Sequence, residues 1–148
     1  MPQPERHIDI ANRIIELLRN NISDLAPFNA EDIRYEDPDS RNVEYGIVIS
    51  PLVEAEGVGT NAQDDIGYRF MIRRSIAKSS PGDEDAATAK SRYRVALREI
   101  FHRKRIGIEC ELLTKIQAGD YIAKRRYRRG SFDVTAIIVT TWIRESRG

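Results

Sequence analysis

Cysteine is nearly absent from this chain: Cys110 is the single one among 148 residues. That excludes an intrachain disulfide and a zinc cage built on cysteines. Set between Glu109 and Glu111 in an expected strand, Cys110 reads as a small buried residue, and the chain as one made and used in a reducing cytoplasm. Histidine is almost as scarce. His7 stands near a terminus expected to fray, and His102 at the end of a basic helix. No nucleophile elbow, Walker loop, HExxH pair or paired-cysteine spacing occurs. The chain is therefore not expected to be an enzyme, and no catalytic residue, metal or cofactor is assigned. Long apolar runs are missing too. The longest, Ala136 to Val139, is far too short to span a bilayer, so no membrane partner is expected. The opening residues, Met1 to His7, lack a basic stretch followed by an apolar one, so no signal peptide is expected.

Net charge is low as well, at +1, but the charges are sorted by position. Residues 1–66 carry fourteen acids and five bases, whereas residues 90–129 carry thirteen bases and four acids. A monomer gains nothing from such sorting. A protein that stacks on copies of itself, or on a polyanion, does. The length suits a single domain, 1–148, able to bury a core without staples.

Hydrophobic period places the elements. Ile8, Ala11, Ile14, Ile15, Leu18 and Ile22 recur at helical steps and predict an amphipathic helix over Ile8–Ile22. Residues 24–42 read as a long acidic, proline-bearing connection, with Phe28, Ile33 and Tyr35 as anchors. Residues 43–75 form an expected hairpin arm. Val43, Tyr45, Ile47 and Ile49 alternate before Pro51, which suggests an edge position or a bulge, and Leu52, Val53 and Ala55 carry the strand on. Ile66, Tyr68, Phe70 and Ile72 alternate in the partner strand. The loop between, Gly57–Asp65, exceeds an ordinary hairpin turn. Its residues Gly57, Val58, Gly59, Thr60, Asn61, Gln63 and Asp64 are candidate contacts of a reaching tip.

Residues 84–144 supply a basic helix and the C-terminal strands. The helix is expected over about Glu84–Arg103, with the stripe Ala86, Ala89, Tyr93, Ala96, Leu97, Ile100 and Phe101. Three strands follow: one over about Glu109–Ile116 led in by Ile106 and Ile108, one over Tyr121–Arg128, and a last one from Phe132 to Arg144. Gln117-Ala118-Gly119-Asp120 and Arg129-Gly130 read as the turns between them. Both faces of the last strand are apolar, which predicts a central position. The fold class is α+β: one mixed, mostly antiparallel sheet with a long hairpin, packed against two main helices.

Three constellations suggest chemistry. Asp32, Glu36, Asp37 and Asp39 lack the spacing and glycine of a calcium loop and read as a solvated connection. Glu109, Glu111 and Lys115 fall on one strand face, as nuclease residues do, but read as ordinary charge on the open side of a sheet. The basic groups are stronger: Arg103, Lys104 and Arg105, then Lys124, Arg125, Arg126, Arg128 and Arg129, the second interleaved with Tyr121 and Tyr127. They fit phosphate contact with aromatic stacking. They fit equally a pairing with acids of a neighbouring copy.

In its element order the chain resembles the tail terminator (tail completion) proteins of long-tailed bacteriophages. The likeness rests on the helix Ile8–Ile22, the strand Tyr45-Gly46-Ile47-Val48-Ile49, its partner ending Tyr68-Arg69-Phe70-Met71-Ile72, the second helix, the basic turn and the strand Phe132 to Trp142. It is a likeness of architecture and pattern, and it brings no catalytic residues. It implies a virion subunit, assembled in the host cytoplasm, that caps the tail tube as a hexameric ring, ends tube polymerisation and joins the head-side connector. Implied partners are copies of itself, the tail-tube protein, the connector or stopper, and DNA in transit. On this resemblance the tip Gly57–Asp65 would reach the tube or the lumen. Arg125, Arg126, Arg128 and Arg129 would meet the next subunit or line the channel. Another head–tail connector subunit (a stopper or adaptor) and a small nucleic-acid-binding domain are the alternatives.

Overall fold

A computed structural model of the chain describes residues 4–25, 28–36, 46–57, 63–77, 83–121 and 132–146. In it the apolar alternation around Tyr68 belongs to a strand of fifteen residues, β4 (Gln63–Ala77). Its partner β6 (Phe132–Ser146) is as long, and the two pair antiparallel from Gln63↔Ser146 to Ala77↔Phe132 without a shift. The strand β2 (Gly46–Pro51) flanks β4, and β5 (Glu111–Tyr121) flanks β6. The sheet order is β1-β2-β4-β6-β5, with the two-residue β3 (Ala55–Glu56) also on β4. As the two apolar faces of the last strand predict, β6 is central. The fold is α+β.

Even-numbered positions of β4 and odd-numbered positions of β6 share one face. Tyr68, Phe70, Ile72, Val139 and Ile143 are buried there beneath two helices, α1 (Pro4–Asn20) and α2 (Asp83–Phe101). The seam of α1 is Ile10, Ala11, Ile14 and Leu18, so Ile10 replaces Ile8, which is 57% exposed. The helix also starts a turn earlier than its apolar period. Pro4 suits a first helical position, having no N–H to leave unpaired. Arg6 and His7 then hold that turn to the sheet. Tyr68 donates its hydroxyl to Glu145 Oε1 at 2.5 Å, Arg6 Nε lies 3.4 Å from the same oxygen, and His7 sits edge-on to Tyr68 with centroids 4.9 Å apart. Far from fraying, His7 is half-buried.

Several boundaries differ from expectation for definable reasons. The connection 24–42 contains two 3-10 turns, Ile22–Leu25 and Ala30–Asp32, and a three-residue parallel strand, β1 (Ile33–Tyr35), on β2. Three residues are too few to display a period. Pro51 ends β2, which is not an edge strand; the bulge alternative holds, since Leu52, Val53 and Glu54 stand against two residues of β4 between Pro51↔Phe70 and Ala55↔Gly67. Leu52 donates its N–H to Arg69, so the proline position faces the β1 side, where β1 has already stopped at Tyr35↔Ile49. Leu52, Val53 and Glu54 leave the ladder before β3 rejoins it at Ala55↔Gly67. The expected turn Gln117–Asp120 is instead strand, because β5 takes up its extra residues in an irregularity between Gln117↔Ile138 and Tyr121↔Ala136. Ile106 to Cys110 is loop, and Cys110 is exposed with φ 63°, a left-handed turn residue and not a buried strand residue. The strand expected over Tyr121–Arg128 lies, after Tyr121, outside the described residues, as do the side chains of Ala86 and Ala89.

On the other sheet face, Trp142 lies over Gly67, its register partner on β4, and against Gly57 beyond β3. A Cβ on Gly67 would meet Thr140 Cγ2 at 2.9 Å and the indole ring at 3.1 Å. Gly67→Ala should therefore destabilise the protein by roughly 1–3 kcal/mol through overpacking. The cost should shrink in a Trp142→Leu background, as thermal unfolding of the four variants will show.

Candidate functional site

The basic residues 103–105 follow directly on α2, and the chain there is held in an unusual shape. The helix ends at Phe101, and Arg103 takes φ 57°, the left-handed conformation that usually closes helices with glycine. Gly107 and Cys110 also have positive φ, at 96° and 63°. Three such residues within eight positions make a tightly wound corner, and something must hold it.

The holder is Glu111. Its carboxylate accepts the N–H of Ile106 at 2.9 and 2.8 Å on its two oxygens, of Gly107 at 2.9 Å and of Ile108 at 3.3 Å. The Thr114 hydroxyl adds a contact at 2.7 Å and continues to Thr141 at 2.9 Å. Charge-assisted bonds of this kind are among the stronger ones a protein makes. From α1, Arg13 donates Nε to the Ile106 carbonyl and Arg6 donates Nη1 to that of Glu109 at 2.9 Å. Thr114 N–H reaches the Lys104 carbonyl at 2.9 Å, stitching the corner to the outer edge of β5. Glu111 is thus not charge on an open sheet face. It is buried, and parted from exposed Glu109 and Lys115, so the three do not converge as nuclease residues.

What the corner displays is positive. Arg103, Lys104 and Arg105 are all exposed, with Arg98 and Lys115 beside them on α2 and β5. His102 lies among these cations and accepts the Ile116 N–H on Nδ1 at 3.2 Å. Burial, and then the charges of Arg98, Arg103 and Lys115, hold its imidazole below the ordinary histidine value. The remaining candidates of the basic group, Lys124, Arg125, Arg126, Arg128 and Arg129, lie outside the described residues.

The opposite edge of the sheet carries three acids and two arginines, Arg34 of β1 and Arg19 of α1, which donates to the carbonyls of Ala30 and Ile33. Glu31 is exposed beside β1, Asp32 closes the Ala30–Asp32 turn by accepting the Asn29 N–H at 2.8 Å, and Glu36 pairs with Arg34 at 3.8 Å. With strands about 4.8 Å apart, the β1 and β5 edges stand roughly 19 Å from each other. Among the described residues, no strand covers the outer side of either.

The candidate tip is narrower than its sequence suggested. Gln63 and Asp64 belong to β4, opposite Ser146 and Glu145, and Asp65 accepts two bonds from Arg144 at 2.8 and 3.2 Å. Gly57 is fixed to the sheet, its N–H donated to Asp65 at 2.8 Å. Val58, Gly59, Thr60 and Asn61 lie outside the described residues. Among the described residues no cluster of metal-binding side chains occurs, and no helix is long and apolar enough to cross a membrane. No protein-family model matches this chain, and no curated protein is significantly similar to it.

One buried cation escaped the sequence reading. Arg74 sits on the covered face of β4, in the row of Tyr68, Phe70 and Ile72, and is only 3% exposed. The alternation that exposed this row extends to position 74 and was a usable signal.

Two outcomes follow. Glu111→Gln keeps the shape but loses acceptor capacity, and should lower stability by roughly 1–3 kcal/mol. Hydrogen exchange should then quicken at Ile106, Gly107 and Ile108 ahead of the β4–β6 amides. His102 titrates lower when folded than when unfolded, so what neutral His102 contributes is complete above about pH 6.5 and declines as pH falls below it. His102→Asn, which keeps an acceptor without a titrating group, should flatten that part of the Tm–pH curve.

Proposed function

We propose that this protein is a structural subunit that closes into a ring through contacts between unlike edges, of the kind that caps a phage tail tube and joins it to the head-side connector. The observation that carries the reading is the placement of charge. A rigid basic corner adjoins the β5 edge, and acids flank the β1 edge on the far side of the same sheet. A closed ring repeats one heterologous contact, so each subunit must present two different, complementary patches. Sequence continues the trend on both sides, since Asp37 and Asp39 follow β1 and Lys124 to Arg129 follow β5. The resemblance to tail terminators supplies the biological setting: a virion protein, a ring of six, and the tail-tube protein and connector as neighbours. A stopper or adaptor ring in the same neck would use the same edges, and binding to tail-tube protein distinguishes the terminator.

A second reading rests on the exposure of Arg103, Lys104 and Arg105. A corner that displays three cations is a phosphate contact whether or not a ring forms, and a monomeric nucleic-acid-binding domain would use it alone.

Native mass spectrometry and negative-stain microscopy across protein and salt concentration test the first reading. Six-membered rings are expected, and Lys104→Glu with Arg105→Glu should return folded monomers with an unchanged circular dichroism spectrum. A protein that stays monomeric throughout, while binding DNA with a steep salt dependence that the same pair abolishes, establishes the second reading in its place.

A further inference from the structure

The buried carboxylates of Glu111 and Glu145 receive hydrogen bonds from the fold, whereas the guanidinium of buried Arg74 does not find an acceptor among the described residues. Arg74 Nη1 is buried with no hydrogen-bond partner, and no carboxylate among the described residues forms an ion pair with it. Arginine does not escape this by losing its proton, as a lysine or histidine would. Its environment is instead aromatic. The guanidinium carbon lies 5.5 Å from the centre of the Phe28 ring and 6.0 Å from that of Tyr93. Aromatic faces stabilise a desolvated cation from above and below. They leave the N–H edge of the guanidinium unanswered.

Two further polar groups on the neighbouring elements are also unsatisfied. The Tyr93 hydroxyl is buried without a partner on α2. Burial pushes this phenol well above its ordinary value, against the opposing pull of Arg74, so it stays protonated and able to donate. Thr135 stands directly opposite Arg74 on β6, and its Oγ1 is buried and unpartnered as well. Such groups are costly to leave unpaired. Arg74 and Tyr93 line one and the same cavity, so an anion bound there would answer both.

The space for that anion exists. Arg74 and Tyr93 line a cavity of about 540 Å³ between α2 and the 3-10 turn Ile22–Leu25. That is the size of a small-molecule site. Leu25, Val95 and Ala96 give it an apolar wall, and Val95 is exposed at 56%. Its other charged lining residues are Asp24, Glu99 and Arg92. Two acids against one base disfavour a dianion entering, whereas a monoanion with an apolar body meets a cation within and hydrocarbon on the way. The planar guanidinium fork matches a carboxylate in particular.

We infer that this cavity is a carboxylate-binding site, with Arg74 pairing to the carboxylate, Tyr93 as hydroxyl donor, and Leu25, Val95 and Ala96 receiving the organic part. The carboxylate belongs either to a free small organic acid or to an acidic side chain of a second copy of this chain. The inference does not depend on ring formation.

The test is thermal unfolding and calorimetric titration of the full-length protein with benzoate, using benzyl alcohol as the neutral isostere and inorganic phosphate as the dianion, all at one ionic strength. Benzoate should raise Tm and bind, benzyl alcohol should do neither, and phosphate should be the weaker anion. Arg74→Met should abolish the benzoate response. Because it removes an unanswered buried charge and keeps the volume, its Tm without ligand should equal or exceed that of the parent. Should that variant fail to fold, Tyr93→Phe should weaken benzoate binding roughly three- to tenfold through one lost hydrogen bond. Native mass spectra taken during the titration separate the sources. Benzoate that adds to an unchanged assembly marks a free ligand, and benzoate that dissociates the assembly marks a neighbour's carboxylate. Equal responses to benzoate and benzyl alcohol, stronger binding of phosphate, or an unaltered response in Arg74→Met would each overturn the assignment.

Discussion

Fifteen consecutive residue pairs between β4 and β6 form the frame on which the rest of this molecule is placed. An antiparallel ladder of that length fixes which side chains share a face, since one slip would exchange the two faces throughout. It puts Tyr68, Phe70 and Ile72 under the helices together with Val139 and Ile143. It also puts Gly67 beneath Trp142, so the indole on the other face rests in a space that only glycine leaves. The shorter strands then add outward on either side, and that addition creates the two edges. β1 is short and parallel, β5 long and irregular, so the edges differ in shape before any charge is considered.

Three charged groups inside the frame are answered by the fold itself. Glu145, buried at the end of β6, receives the Tyr68 hydroxyl and the proximity of Arg6. Glu111 collects three backbone N–H groups and a hydroxyl. Arg144 and Asp65 bond through two nitrogens, and that arginine holds the Asp65 carboxyl below the usual carboxylate range. In each case a charged group is answered by donors or acceptors that the fold itself supplies, as burial requires. These arrangements also fasten otherwise separate pieces: α1 to the sheet through Arg6, and the basic corner to β5 through Glu111. Arg74 has no such answer. A permanently charged side chain between two rings, at the wall of an open cavity, differs from the others in kind, and the difference places its missing partner outside the described chain.

Much of the architecture was legible because it is periodic. The alternation of Ile66, Tyr68, Phe70 and Ile72 and the doubly apolar last strand identified β4 and β6, and the stripe Tyr93, Ala96, Leu97 and Phe101 identified α2. Four features were hidden, by shortness or by dependence on the surrounding fold. The strand at Ile33 has too few residues to repeat a pattern. Gln117 to Asp120 has turn composition, yet the ladder on β6 carries it through as strand. Glu111 resembles any surface acid until α1 and the loop 106–108 close over it, and Cys110 resembles a core residue until its positive φ turns it outward. Arg74 differs from these. It stood in plain alternation with the core of β4, and only the habit of reading arginine as surface concealed it.

The sorting of charge along the chain and the order of strands in the sheet are separate facts that bear on one another. Acids concentrate before residue 66 and bases after residue 90, and the chain places its first strand at one edge and its fifth at the other. Part of the segregation in sequence thereby becomes a difference between the two sheet edges. Screening by salt weakens such patches at a distance of about 10 Å, so their use lies in close, repeated contact and not in long-range steering. The basic side is wound through left-handed residues and held by a buried carboxylate. A surface meant only to be soluble has no need of that, because solvated lysines and arginines keep a protein soluble on any flexible loop. Cations fixed at set separations suit a partner whose own charges are fixed, and a second copy of the same folded chain is such a partner.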